Sequence, residues 1–218
     1  MPDSTSIPLV GILIVLAIGG LLPLFVVTMT GFLKISVVMF LIRNALGIQQ
    51  APPNIVLYGI ALILTVYVTS PLLGSIYAKL SAHPLDFSSV ESITALANDV
   101  KQPVRAELMR FAQPKERQFF VSATQRIWPE EARENVKDDD MVILLPAFVS
   151  SELTRAFEIG FLLYLPFLVI DLVVSNILMA MGMIMVSPTL ISVPLKIFLF
   201  VAVSGWSRLM HGLILSYS

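Results

Sequence analysis

Three stretches of the chain carry no charge at all: Ser4 to Leu33, Asn44 to Ala78 and Leu172 to Leu195. Each exceeds the ~20 residues that an α-helix needs to cross the hydrocarbon of a bilayer, so each is a candidate membrane span. Two shorter apolar runs cannot span alone: Ile159 to Ile170, which stops at Asp171, and Ile197 to Ser207, bounded by Lys196 and Arg208. They read as half-spans or packed hairpin arms. Pro23, Pro71, Pro166, Pro188 and Pro194 lie inside apolar stretches, where each removes a backbone donor and crowds the preceding turn. The pattern therefore predicts proline-broken helices, which survive at membrane depth only against protein or around a cavity.

Polar positions concentrate between these runs. Lys79 to Asp140 holds nine Lys or Arg and eleven Asp or Glu, 20 of the chain's 29 charges, and is the aqueous part. Its pattern is helical. Ser88 and Glu91 have capping-box spacing before Val90, Ile93 and Leu96; Pro103, Pro114 and Pro129 each stand where a first helical position would be. Val104, Leu108 and Phe111 recur as one buried helix face would. The expectation is an all-α protein in three segments: N-terminal hydrophobic helices over 1–78, an aqueous helical segment over 79–140, and C-terminal hydrophobic helices over 141–218. Gly31 to Asn54 contains Lys34 and Arg43 and no acid, so the positive-inside rule puts it in the cytoplasm and the net-acidic segment in the periplasm.

Composition narrows the function. A content of 56% hydrophobic and 13% charged residues in a chain of 218 is more apolar surface than a soluble domain buries, so much of it must face lipid or other subunits. A net charge of -1 with no basic face excludes an electrostatic nucleic-acid partner. Without cysteine there is no disulfide or thiol chemistry, and only His83 and His211 offer imidazole, so neither a metal nor another cofactor is expected. Met1 to Ile7 has an acid and no base, unlike the positive region of a cleaved secretory signal, so the first apolar run is expected to be retained. Zinc, nucleophile-elbow, P-loop and dinucleotide motifs are all missing, which counts against an enzyme.

Two blocks carry a specific resemblance. The first, Phe32-Leu-Lys-Ile-Ser-Val-Val-Met-Phe-Leu-Ile-Arg-Asn-Ala-Leu-Gly-Ile-Gln-Gln-Ala-Pro-Pro-Asn54, reads physically as a helix ended by Gly47 and kept from resuming by Pro52 and Pro53. Arg43 is suitably placed there against the helix dipole. The second runs from Leu145 to Leu178 and includes Ser151-Glu-Leu-Thr-Arg-Ala-Phe-Glu158. Together they closely resemble the type III secretion export-gate family, known as SctR in injectisomes and FliP in flagella, and the second block is more similar to the Ysc-type injectisome branch. The likeness covers nearly the whole chain and is weakest in the aqueous segment. Ser204-Gly205-Trp206 departs from the Asp-Gly-Trp common in the family, and Ile184 takes a position often filled by methionine.

Several charges lie in or next to apolar runs. Glu152, Arg155 and Glu158 are spaced so that neighbours can pair along a helix. Asp171, followed by 24 uncharged residues, needs a partner more than they do. Structural pairing, within or between subunits, and a proton relay both remain open; Lys196 is a candidate partner for an acid on a neighbouring subunit. Met179, Met181, Met183 and Met185 recur at every second position, which on a continuous helix scatters them around the axis unless Gly182 interrupts it. They are either fillers of irregular packing or a directed apolar cluster. The resemblance implies the latter, a methionine-rich constriction around a pore that maps to Met183, Ile184 and Met185 with Met179 and Met181 close by.

The resemblance further implies an inner-membrane gate, partly facing the periplasm, that moves unfolded polypeptide without altering it. The expected partners are further copies of the chain in a pentamer, SctS-like and SctT-like subunits, SctU-like and SctV-like export components, secreted proteins and lipid. A small-solute transporter and a pure scaffold are the competing readings. The transporter lacks its inverted repeat.

Overall fold

The computed structural model describes residues 9–48, 50–82, 90–133 and 136–218; the capping residue Ser88, His83 and the stretch Met1 to Ile7 lie outside them. The described residues form nine helices and no strand. In chain order these are α1 (Leu9–Met29), α2 (Phe32–Ala45), α3 (Asn54–Ala82), α4 (Val90–Phe111), α5 (Pro114–Ile127), α6 (Glu130–Arg133), α7 (Met141–Ala180), α8 (Thr189–Ala202) and α9 (Gly205–Leu215). They belong to two compact units, one within Met1–Gly31 and Thr69–Glu152, the other Phe32–Val68 with Leu153–Ser218.

In the first unit Leu108 and Phe111 of the expected α4 face are buried and Val104 is half-buried, and Ile143, Leu144, Ala147 and Phe148 at the start of α7 are buried as well. Polar bonds join these elements. The Gln113 amide donates to Ser151 Oγ at 2.9 Å and Ser150 Oγ donates to Glu116 Oε2 at 2.7 Å. Arg105 pairs with Asp139, and Arg117 with Asp138 at 2.8 Å, which ties the 136–140 turn to α4 and α5. Pro114 opens α5 as its missing N–H allows, and Pro129 directly precedes α6. Pro103, in contrast, lies inside α4 rather than at a start.

The second unit is built on close backbone approaches. A Cβ on Gly160 of α7 would lie 2.3 Å from Leu41 Cδ1 of α2. Ile35, Val38, Met39 and Ile42 of α2 are buried, as are Leu57 and Ala61 of α3 and Ala156 of α7. Gly47 ends α2 in the left-handed conformation at φ +77, where glycine alone carries no steric penalty, and its missing Cβ leaves room for Val193 of α8. Arg43 Nη1 reaches over this turn to Asn54 Oδ1 at 2.5 Å and Pro52 O at 3.3 Å, fastening the end of α2 to the start of α3. Gly160→Ala is expected to destabilise the protein by about 1–3 kcal/mol through overpacking against Leu41. Gly59→Ala, where nothing lies within 4 Å, is expected to be neutral or slightly stabilising. Thermal unfolding of both variants in detergent measures the contrast.

The long apolar elements differ from the charge-delimited runs. Asn54–Ser81 and Met141–Ala180 are each long and apolar enough to cross a membrane, with mean hydropathies of 2.0 and 2.2 over their best windows. The bent pair Thr189–Ala202 and Gly205–Leu215, turned by 63°, passes the same test when taken together. The run Leu172 to Leu195 is therefore not one span: it contains the end of α7, a loop and the start of α8. Ile159 to Ile170 is not a half-span either, because α7 continues through Asp171 for 40 residues in all. At 1.5 Å per residue such a helix is about 60 Å long, roughly twice the hydrocarbon thickness. Helices also run through Pro23, Pro71, Pro166 and Pro194, and the chain breaks only at Pro188. A single lost donor in a long helix is a local cost that the neighbouring turns sustain. Only 28% of the α3 window and 17% of the α7 window is buried, so both helices turn apolar surface outward.

Candidate functional site: a methionine loop and a buried ion pair

The loop that joins α7 to α8 begins where glycine chemistry ends the helix. The Gly182 amide donates to Met179 O at 3.0 Å and the Met183 amide to Leu178 O at 2.9 Å, with Gly182 at φ +71. This pair of bonds around a left-handed residue is the Schellman arrangement, which satisfies the carbonyls left over at a helix end. A turn follows, closed by the Val186 amide on Met183 O at 3.2 Å, and Pro188 then starts α8. Gly182 thus interrupts the helix, as the alternating methionines require if they are to escape helical scatter. Met179 remains on the last turn of α7, Met181 caps it, and Met183, Ile184 and Met185 occupy the loop proper.

All five are exposed, Ile184 at 85% and Met185 fully so. Ordinary packing inside the chain therefore does not explain them. Unbranched thioethers and an isoleucine held out on a loop carry a large cost in water, one that contact with apolar or polypeptide surface would relieve.

Asp171 and Lys196 meet in the second unit. Lys196, buried on α8, places Nζ 2.5 Å from Asp171 Oδ2 and donates to Ala45 O at 3.0 Å. Ala45 is the last residue of α2, so the ammonium neutralises an acid on α7 and satisfies a carbonyl at the negative end of α2 at once. The acid that serves Lys196 thus lies on its own chain, which corrects the expectation of one on a neighbour. The two residues stand 25 apart on separate helices, beyond the reach of any local pairing rule. Glu152 is completely buried, Arg155 is partly buried and Glu158 is exposed, so the three related positions of α7 sit in three different environments.

Sequence reasoning also missed Lys34. It is completely buried on α2, and its Nζ lies 3.4 Å from the ring centroid of Tyr217, close to the C-terminus. An ammonium over an aromatic face gains electrostatic stabilisation that grows as water is excluded. The positive-inside reading counted Lys34 as a charge of the Gly31 to Asn54 stretch; it is an interior one. At Ser204, where the family commonly has Asp, the backbone is left-handed at φ 54, a region that Asp and Asn tolerate better than Ser. Next to it Phe200 lies where a Gly205 Cβ would stand, and Trp206 meets Phe200 edge-on at 5.3 Å. His211 is exposed on α9.

Comparison with known proteins bears on the whole chain. The sequence model of the FliP family matches residues 13–213. The chain is 55% identical over 210 residues to the probable translocation protein y4yL of Sinorhizobium fredii, covering 96% of this chain and 95% of that one. It is 50% identical to the Yop proteins translocation protein R of Yersinia pestis, covering 100% and 98%. Identity to the virulence protein YscR of Salmonella typhimurium is 45%, covering 100% and 99%. With a family match over nearly its whole length and full-length relatives of this similarity, the chain belongs to the FliP family of type III secretion proteins.

Proposed function

We propose that the chain is a core subunit of the type III secretion export gate and that its 181–188 loop supplies the seal of a polypeptide-conducting pore. Several copies, five by the family resemblance, join SctS-like and SctT-like subunits in the bacterial inner membrane and work beside SctU-like and SctV-like components. The gate passes unfolded protein and performs no bond chemistry. In this reading 1–78 and 141–218 hold the membrane and the pore, and the charged 79–140 segment faces the periplasm.

The exposed loop is the observation that carries the proposal. Ile184 and Met185 lie almost wholly outside the chain's own packing, yet the helices on either side are well formed. A pore for many different chains cannot depend on specific hydrogen bonds. Flexible apolar side chains repack around whatever passes, then reclose, and an apolar constriction also blocks ions by dewetting.

The outward apolar faces of α3 and α7 require neighbours as well as lipid. Native mass spectrometry of the detergent-extracted chain, coexpressed with its partner subunits, is expected to show a multicopy ring; a stable monomer that supports secretion would sink the proposal.

A further inference from the structure

The second unit holds a cavity of about 550 Å³, lined from α2, α7, α8 and α9, that neither the methionine loop nor the ion pair uses. Of its lining, Phe167, Phe200, Leu209 and Leu213 are buried, whereas Leu162, Leu199 and Val203 are exposed, so it opens to the outside of the chain. Two polar side chains border it. The Ser216 hydroxyl already donates to Leu213 O at 2.7 Å. Arg208 is exposed, and its guanidinium makes no ion pair or hydrogen bond among the described residues. No Asp or Glu follows Asp171 in the chain, and Asp171 is taken by Lys196.

Size, lining and charge together select an occupant. Water needs polar partners, and roughly 150 Å³ lined by Leu, Ile and Phe suffices for a benzene ring, so a cavity more than three times that size takes a hydrocarbon chain. The cavity's walls come largely from α7 and from the bent pair of α8 and α9, which are long and apolar enough to cross a membrane, so the hydrocarbon they meet is lipid. A charge on such an element calls for a partner. A phosphate meets the parallel donors of a guanidinium in bidentate geometry. A neighbouring copy offers little in its place: on α7 Glu152 is buried and Asp171 is paired, which leaves only Glu158 to set against Arg208. An acyl chain that carries a phosphate supplies the carbon and the anion in one molecule.

We propose that this cavity binds an anionic phospholipid, with an acyl chain against Phe167, Phe200, Leu209 and Leu213 and the phosphate on Arg208. The inference rests on the membrane character of α7, α8 and α9 and not on the pore reading.

Photoreactive phosphatidylglycerol and phosphatidylcholine, each with a diazirine in one acyl chain, test the site when added in mixed micelles to the detergent-extracted chain coexpressed with its partner subunits. The anionic lipid is expected to label the 159–167 and 205–216 stretches about fivefold more than the zwitterionic one, the worth of one arginine near an anionic headgroup. Arg208→Gln, which removes a charge without a partner among the described residues and so leaves folding intact, is expected to abolish that preference. Gly212→Leu should lower labelling by both lipids, because Gly212 borders the cavity, a Cβ there meets nothing within 4 Å, and the larger side chain takes up the space of the acyl chain. Equal labelling by the two lipids, or a preference that survives Arg208→Gln, overturns the proposal. So does an adduct with a second copy from a photo-crosslinking amino acid at Leu162. Labelling is read without secretion, so a chain that takes the lipid and exports nothing keeps the site and sinks the gate.

Discussion

Asp171→Leu is expected to deplete the folded subunit severely, Lys196→Met to do so less, and the double variant to restore most of it. The asymmetry follows from exposure. Removing the carboxylate leaves the enclosed Lys196 ammonium with Ala45 O alone, and breaking a buried pair in this way costs about 3–5 kcal/mol. Removing the ammonium leaves Asp171, which is partly exposed, together with one carbonyl without its donor, a loss nearer ~1–3 kcal/mol. Replacing both with apolar groups of similar volume is often neutral, so the pair's structural task passes to packing. Detergent-extracted yield and thermal midpoint across the four proteins give the coupling energy directly. A proton relay predicts a different outcome: Asp171→Asn, which keeps the shape and a hydrogen-bond acceptor, would assemble normally and yet abolish secretion with an altered pH dependence. Structural pairing predicts that assembly is lost before transport is.

How far such a site can be read in advance depends on the range of the interactions that build it. Gly47 and Gly182 were legible because the helix-ending rule is local, needing only a residue free to adopt positive φ, and both end helices where expected. Pro114 follows the same logic. Pro103, Pro166 and Pro194 did not obey it, because a proline is costly to a helix interior without forbidding it, and the apolar faces of these helices outweigh one missing donor. Charge misled in a related way. Asp171 was counted as the boundary of an apolar run, but it lies with Glu152, Arg155 and Glu158 on the single helix α7, where burial and pairing hold charge in an apolar element. Lys196 with Asp171, and Lys34 with Tyr217, are separated by many residues of helix and loop; no periodicity joins them, and only the packing of α2, α7, α8 and the C-terminus brings them together. Ser192 was silent for the opposite reason, since a serine in a helix has an ordinary local explanation until its hydroxyl is found buried without a hydrogen-bond partner among the described residues.

Replacing Met183, Ile184 and Met185 together by alanine is expected to leave the ring assembled and make it leak. The three side chains lie in a loop, two of them almost fully exposed, so their loss removes little packing within the subunit and the fold should survive. In the proposed ring symmetry would multiply the change, because every copy would withdraw the same apolar bulk from the same circle. A constriction that excluded water by being narrow and apolar then admits it, and ions follow. In planar bilayers the alanine complex should conduct where the parent complex is silent, and cells carrying it should take up small dyes while still exporting some protein. Met179→Ala with Met181→Ala, altered at the end of α7 rather than in the loop proper, should have the smaller effect. Equal, low conductance in both complexes, with ring assembly verified, would place the constriction elsewhere. Because Ile184 and Met185 are not buried within their own chain, that result would not return them to its core. It would make the loop a contact between neighbouring subunits, and the same alanine substitutions should then weaken the ring they had been expected to leave intact.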